Sequence, residues 1–217
     1  MSVILYDYWR SSASYRVRIA LNLKGLPYQT VPVNLLADEH RGAPHLARNP
    51  QGLVPALAID GRTMTQSLAI IEYLDETRPD PPLLPADPAG RQRVRALAHA
   101  IAVDIHPICN LSVSRYAASL IGGADATAQW MTRFIRPGLA AFEALLASAE
   151  TGRFCHGDRV SLADLCLVPQ IYNARRWNLP IADLERITAI AAALETLPEI
   201  AAAHPDRVKP GDPAPVP

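Results

Sequence analysis

Arg10-Ser11-Ser12-Ala13-Ser14-Tyr15-Arg16-Val17-Arg18-Ile19-Ala20-Leu21 puts a cation and three hydroxyls where a short strand gives way to an amphipathic helix. The apolar run Val3-Ile4-Leu5-Tyr6 before it reads as the strand. Val17, Ala20, Leu21 and Lys24 share one helical face, and Gly25 and Pro27 stop the helix. The serines therefore fall at the helix end where backbone N–H groups lack carbonyl partners and the positive end of the macrodipole lies. Such a junction suits a bound thiolate or carboxylate. The same residues also fit a plain helix start, with one serine, Ser14 first among them, acting only as a cap.

Working outward, β-like runs at Val3 to Tyr6, Thr30 to Val33 and Val54 to Ile59 alternate with helical segments, the pattern of a βαβ unit followed by further strands and a helix. Asp60-Gly61 reads as a hairpin turn into a strand from Arg62 to Met64, and Ser67 as a cap for a helix through Ala69, Ile70, Tyr73 and Leu74. Prolines crowd the stretch from Arg78 to Pro88, which neither a regular helix nor a central strand accepts. The expected organisation is an α/β domain over residues 1–80, a Pro-rich linker at 81–88, an all-helical domain over 89–209 and a mobile tail at 210–217. Apolar residues recur at helical spacing through Val94 to Leu120, Ala128 to Ala147, Leu162 to Ile171 and Ile187 to Leu194. Ser161-Leu162-Ala163-Asp164 has the form of a capping box and is assigned to folding.

Lys plus Arg and Asp plus Glu balance at 21 each, so no global field draws nucleic acid or an anionic membrane, and any anion affinity is local. No apolar stretch approaches the roughly 20 residues that cross a bilayer, and Met1-Ser2-Val3-Ile4-Leu5 is too short and uncharged for a secretory signal, so a cytoplasmic location is expected. Cys109, Cys155 and Cys166 have neither CxxC nor metal-ligand spacing and read as small buried hydrophobes. There is no HExxH, Gly-rich phosphate loop or GxSxG elbow, so metal, nucleotide and serine-hydrolase chemistry lack support.

Four ordered segments together resemble glutathione transferases: the Ser11-Ser12 stretch, Asn49-Pro50-Gln51-Gly52-Leu53-Val54-Pro55-Ala56-Leu57, Gln66-Ser67-Leu68-Ala69-Ile70-Ile71-Glu72-Tyr73-Leu74, and Ser161 to Asp164. The first segment is similar to that of the zeta class, whose members isomerise maleylacetoacetate and, in close relatives, maleylpyruvate. The resemblance implies a thioredoxin-like N-terminal domain with glutathione as cofactor, an all-α C-terminal domain and a homodimer. It implies that Ser11, with Ser12 beside it, hydrogen-bonds the glutathione sulfur. Val54 would pair its backbone with the tripeptide beside a cis Pro55, where the residues alone favour an ordinary trans proline. Gln66 and Ser67 would receive the γ-glutamyl end, with helix capping as the alternative or parallel role. His40, His106 and Asn110 match tripeptide-lining positions, while a solvated surface remains the other reading for each histidine.

The departures carry information too. Ala13 stands where cysteine is frequent in the class, which removes a redox thiol from the helix start. Leu53 replaces a frequent Gln, which leaves the substrate open between maleylacetoacetate and maleylpyruvate. Both substrates are carboxylate-bearing cis-enediones, and reversible thiolate addition lets their double bond rotate. Lowering a thiol pKa from ~8.5 by ~2 units raises the thiolate fraction roughly 25-fold, but a Brønsted slope of ~0.5 loses about tenfold in reactivity. Positioning and charge stabilisation must then supply more of the rate than Ser11 does. Guanidinium is suited to both, and Arg10 and Arg176 are the candidates, with surface ion pairing the alternative for Arg175 and Arg176. Competing functions are a conjugating transferase acting on haloacids or other electrophiles, and a non-catalytic interaction module.

Overall fold

The computed structural model describes residues 2–210, so the expected tail lies, except for Pro210, outside the described residues. The chain divides into two units, one of Met1–Pro81 with Leu197–Pro217 and one of Pro82–Thr196. The second unit thus starts inside the expected linker and ends before residue 209. Two short helices beyond Thr196 belong with the first unit.

In the first unit β1 (Ile4–Asp7), α1 (Ser12–Leu23) and β2 (Gln29–Pro32) form the βαβ unit, and α2 (Ala43–Leu46) precedes the hairpin β3 (Ala56–Ile59) and β4 (Arg62–Thr65). The sheet order is β2-β1-β3-β4, with β1 parallel to β2 and antiparallel to β3. This is the mixed sheet of a thioredoxin-like domain. Leu5 pairs with Leu57, both fully buried, so the sheet's central pair supplies core as well as ladder. Asp60 and Gly61 turn the hairpin at φ 52 and 74, left-handed values that an Asp-Gly pair tolerates. The third strand starts two residues later than its apolar pattern suggests, after Pro55, which cannot donate to a ladder.

Helix α1 is not amphipathic in its setting: Ser14 to Leu21 are all buried, Arg16 and Arg18 included. Arg18 is held by Asp7 at 2.9 and 2.7 Å, Trp9 O at 2.9 Å and Ala203 O at 3.0 Å, which satisfies a charge that would otherwise exclude it from a core. Lys24 at the helix end reaches Asp75 at 2.7 Å. Asp75 lies on α3 (Ser67–Thr77), which packs on α1. Ser11, not Ser14, caps α1, accepting from Ser14 N–H at 3.2 Å. On α3 the cap position is Gln66, and Ser67 is the first helical residue.

The second unit contains α4 (Pro88–His99), running into a π-helical turn at Ala100–Ile105, then α5 (Leu111–Ile121), α6 (Ala126–Leu145), α7 (Leu162–Arg176) and α8 (Glu185–Glu195). Pro107 marks where the expected long helix through Leu120 breaks. Every residue of α7 from Leu162 to Ile171 is buried, Asp164 and Gln170 included. Gly138 admits the π turn against α6, since a Cβ there would meet Ile105 Cδ1 at 2.5 Å. The Asp164 carboxylate accepts from Ser161 N–H, Ser161 Oγ–H and Cys155 N–H at 2.8 to 2.9 Å, and burial raises its pKa against the pull of those donors. It closes the start of α7, a folding role. After α8 the chain returns to the first unit as α9 (Pro198–Ala202) and α10 (Pro205–Val208), with α9 against α1.

Candidate functional site

The first unit gathers three stretches that are distant in sequence. Ser11 has extended backbone at φ −70, ψ 124, its N–H bonded to Tyr8 O at 2.8 Å, so the chain turns sharply into α1. Ser11 and Ser12 stay partly exposed at that helix start, while Ser14 is fully buried behind them. Val54 packs with Tyr8 and Val33 in a small cluster that also takes up Trp9, which brings the Val54 segment beside the β1–α1 turn. The Arg10 guanidinium stacks over the Trp9 ring at 5.4 Å, a contact that holds the cation without spending its donors.

The Val54–Pro55 bond is cis, the isomer the resemblance implied. Among the described residues, the main-chain N–H and C=O of Val54 have no main-chain partner, so this backbone is an edge able to take another strand-like segment. Its approach is fixed from behind: His45 Nε2 donates to Leu53 O at 2.9 Å and Asn49 Nδ2 donates to it at 2.8 Å, both side chains being buried. Two such bonds contribute roughly 1 kcal/mol each, and together they fix the direction of the next peptide. Gly52 is required here, because its φ is +62 and a Cβ would sit 3.2 Å from His40 O. His40 therefore borders the same loop through its backbone, in a short 3-10 turn at Glu39–Arg41.

Gln66 stands at φ 69, ψ 108, a strained backbone for a residue with a Cβ, and such strain concentrates at ligand clamps. Its Nε2 donates to Gln51 Oε1 at 2.8 Å, linking the loop before Val54 to the start of α3. Ser67 is buried, and its Oγ accepts from Arg16 Nη1 at 3.3 Å. Ser11, Ser12, Val54, Pro55, Gln66 and Ser67 thus lie on segments tied to one another within one unit.

The remaining candidates lie on the second unit. His106 ends the π turn, its N–H bonded to Ile101 O at 2.9 Å. Asn110 caps α5, its Oδ1 accepting from Val113 N–H at 3.0 Å and from Ser112 Oγ at 2.9 Å, so only its amide nitrogen is left for other contacts. Arg176, the exposed last residue of α7, lies over the Trp177 ring at 5.0 Å. Arg175 forms an exposed ion pair with Glu195, as its surface reading expected.

Sequence reasoning missed His45, the side-chain role of Asn49, Gln51 and Arg16. Asn49 and Gln51 lie inside the second quoted segment, and Arg16 inside the first, so the signal was position within a segment. Nothing in the residues around His45 marked it.

Residues 5–82 match the glutathione S-transferase N-terminal domain. The maleylacetoacetate isomerase of Rhizobium meliloti is 61% identical over 208 residues, covering 95% of this chain and 98% of that protein. The chain belongs to the glutathione S-transferase family. Among solved structures, a holo maleyl pyruvate isomerase described as a bacterial zeta-class glutathione S-transferase superposes with a TM-score of 0.92 at 44% identity, covering 95% of this chain and 98% of that one. A maleylacetoacetate isomerase of Methylobacterium extorquens AM1 with bound malonate and glutathione gives 0.91 at 42% identity, covering 97% and 100%.

Proposed function

We propose that the chain is a glutathione-dependent cis–trans isomerase of a maleyl-substituted keto acid, maleylacetoacetate before maleylpyruvate. The observation that carries it is the convergence, within the first unit, of a serine-bearing helix start, the unpartnered backbone of Val54 and the strained Gln66–Ser67 helix start. The donor set fits an extended peptide with an acidic head and a thiolate. Val54 offers one N–H and one C=O to a peptide backbone. Ser67 and the free amides of α3 offer donors to a carboxylate. Ser11 and Ser12 offer hydroxyls at the positive end of α1 to sulfur. His40 borders the Val54 loop, and Asn110 and His106 are the second unit's candidates for the tripeptide.

When bound, glutathione supplies a soft nucleophile whose reversible addition makes the alkene rotatable. The chain's own residues do the rest. Ser11 and Ser12 hold the thiolate, and Arg10 takes a substrate carboxylate and stabilises the charge that grows on the conjugated carbonyl. Arg176 is the second candidate for a substrate carboxylate. The relatives named for maleylacetoacetate, and a solved structure of one such isomerase with bound malonate and glutathione, support a dicarboxylate-like substrate. We take the assembly to be a homodimer, tested by light scattering, and the compartment to be the cytoplasm; among the described residues no helix is long and apolar enough to cross a membrane.

The test is stoichiometric. With glutathione at one hundredth of the maleylacetoacetate or maleylpyruvate concentration, all substrate is expected to isomerise and the free thiol to persist. Consumption of one thiol per product would make the protein a conjugating transferase. Ser11→Ala with Ser12→Ala should abolish most turnover, and full activity in that variant would overturn the sulfur assignment.

A further inference from the structure

Arg16 is, with Arg18, the largest of the buried side chains, 2% exposed, and its Nη1 donates to a hydroxyl 51 residues away, Ser67 Oγ. Guanidinium carries donors only, whereas a serine hydroxyl has one proton to give and two lone pairs. The Arg16 contact occupies a lone pair and cannot use the proton. The Ser67 proton is left for another acceptor, and the leading N–H groups of α3, which take no cap from the Gln66 side chain, are donors as well. Ser67 and those amides then form a set of hydrogen-bond donors gathered at one helix start. An anion satisfies all of them at once, and a neutral ligand does not.

We infer that Arg16 is a positioning residue for the γ-glutamyl carboxylate of glutathione: from beneath α3 it fixes Ser67 as a hydrogen-bond donor and so gives this end of the site its preference for an anion. The inference rests on the reading of Gln66–Ser67 as the γ-glutamyl receptor. It explains why a side chain that stays ionised when buried stands on the inner side of α1, where apolar packing would otherwise serve.

The probe is 4-aminobutyryl-cysteinyl-glycine, which is glutathione without that carboxylate, compared with glutathione by calorimetric binding and by KM and kcat in the isomerase assay. Wild type is expected to favour glutathione about tenfold or more. In Arg16→Met the KM for glutathione should rise about tenfold with kcat at saturation within twofold, while binding of the analogue stays unchanged. Ser67→Ala should lose the same discrimination, and the double variant no more than either single one, because the two act as a unit. Arg16→Lys, which keeps a charged donor, should recover much of the preference. Arg16→Gln replaces Met if the latter does not fold, with the same expected loss. Equal weakening toward both ligands, or full discrimination in Arg16→Met or Arg16→Gln, overturns the inference. Should Ser67→Ala keep full discrimination, the receptor reading itself fails; loss in Ser67→Ala but not in the Arg16 variants sinks only the role of Arg16.

Discussion

Arg18→Met is expected to cost the protein a large part of its stability. The guanidinium is fully buried and makes four hydrogen bonds: two to the Asp7 oxygens at 2.9 and 2.7 Å, one to Trp9 O at 2.9 Å and one to Ala203 O at 3.0 Å. Asp7 is itself only 2% exposed, so methionine would leave a carboxylate with neither water nor counter-charge. Removing one partner of such a pair costs about 3–5 kcal/mol. A loss near the middle of that range, about 4 kcal/mol, shifts the folding equilibrium roughly 1,000-fold. For a chain of this size it lowers the melting temperature by roughly 8–16 °C. Urea unfolding followed by circular dichroism measures it. The double variant Asp7→Asn, Arg18→Met removes both charges and should be more stable than Arg18→Met alone. Stability of Arg18→Met within about 1 kcal/mol of wild type would refute the reasoning, since that is the scale of an ordinary exposed pair. So would a double variant no better than the single one.

Arg10→Ala should lower kcat at least tenfold with a dicarboxylate-like substrate while changing glutathione affinity less than threefold, by kinetics and calorimetry; Arg176→Ala run beside it compares the two candidates. Asp60 is held below the usual carboxylate range by hydrogen bonds from Arg78, at 2.8 and 3.0 Å, and from Tyr73. Its contribution is present above the unfolded carboxylate pKa and is lost as pH falls through the depressed folded value, so Asp60→Asn should flatten the acid limb of a stability–pH profile below about pH 4, the unfolded carboxylate range. Burial pushes the Cys109 thiol up to about 11 and the Cys155 thiol well above its ordinary range, and Cys166 is fully buried. An aromatic disulfide reagent at pH 8 should therefore titrate none of the three cysteines in the native protein and all of them after denaturation.

Much of the first unit was legible because its signals are local. An apolar run of four, Asp-Gly between two such runs and glycine with proline after a helical face each specify an element without reference to the rest of the chain. The choice between Ser11 and Ser14 as cap was not legible, since both hydroxyls precede helical residues and only the backbone conformation at Ser11 decides. The burial of Arg16 and Arg18 was not legible, because burial of a guanidinium depends on Asp7, Ser67 and the Ala203 carbonyl, partners supplied by tertiary structure. The same holds for His45, whose role depends on a carbonyl eight residues away. In the second unit helical periodicity located α6, α7 and α8, but the π turn left the apolar pattern continuous and hid the break before Asn110. Residues 197–208 form helices of five and four residues, too short for any period to show.

Those short helices complete a unit begun two hundred residues earlier, with Asn22 Nδ2 donating to Glu199 O at 2.8 Å and Arg18 Nε to Ala203 O. On the ribosome the nascent sheet and its first helix emerge long before these carbonyl acceptors do. The opening α/β unit is then finished last, and a stop codon anywhere before Ala203 leaves its buried guanidinium one acceptor short.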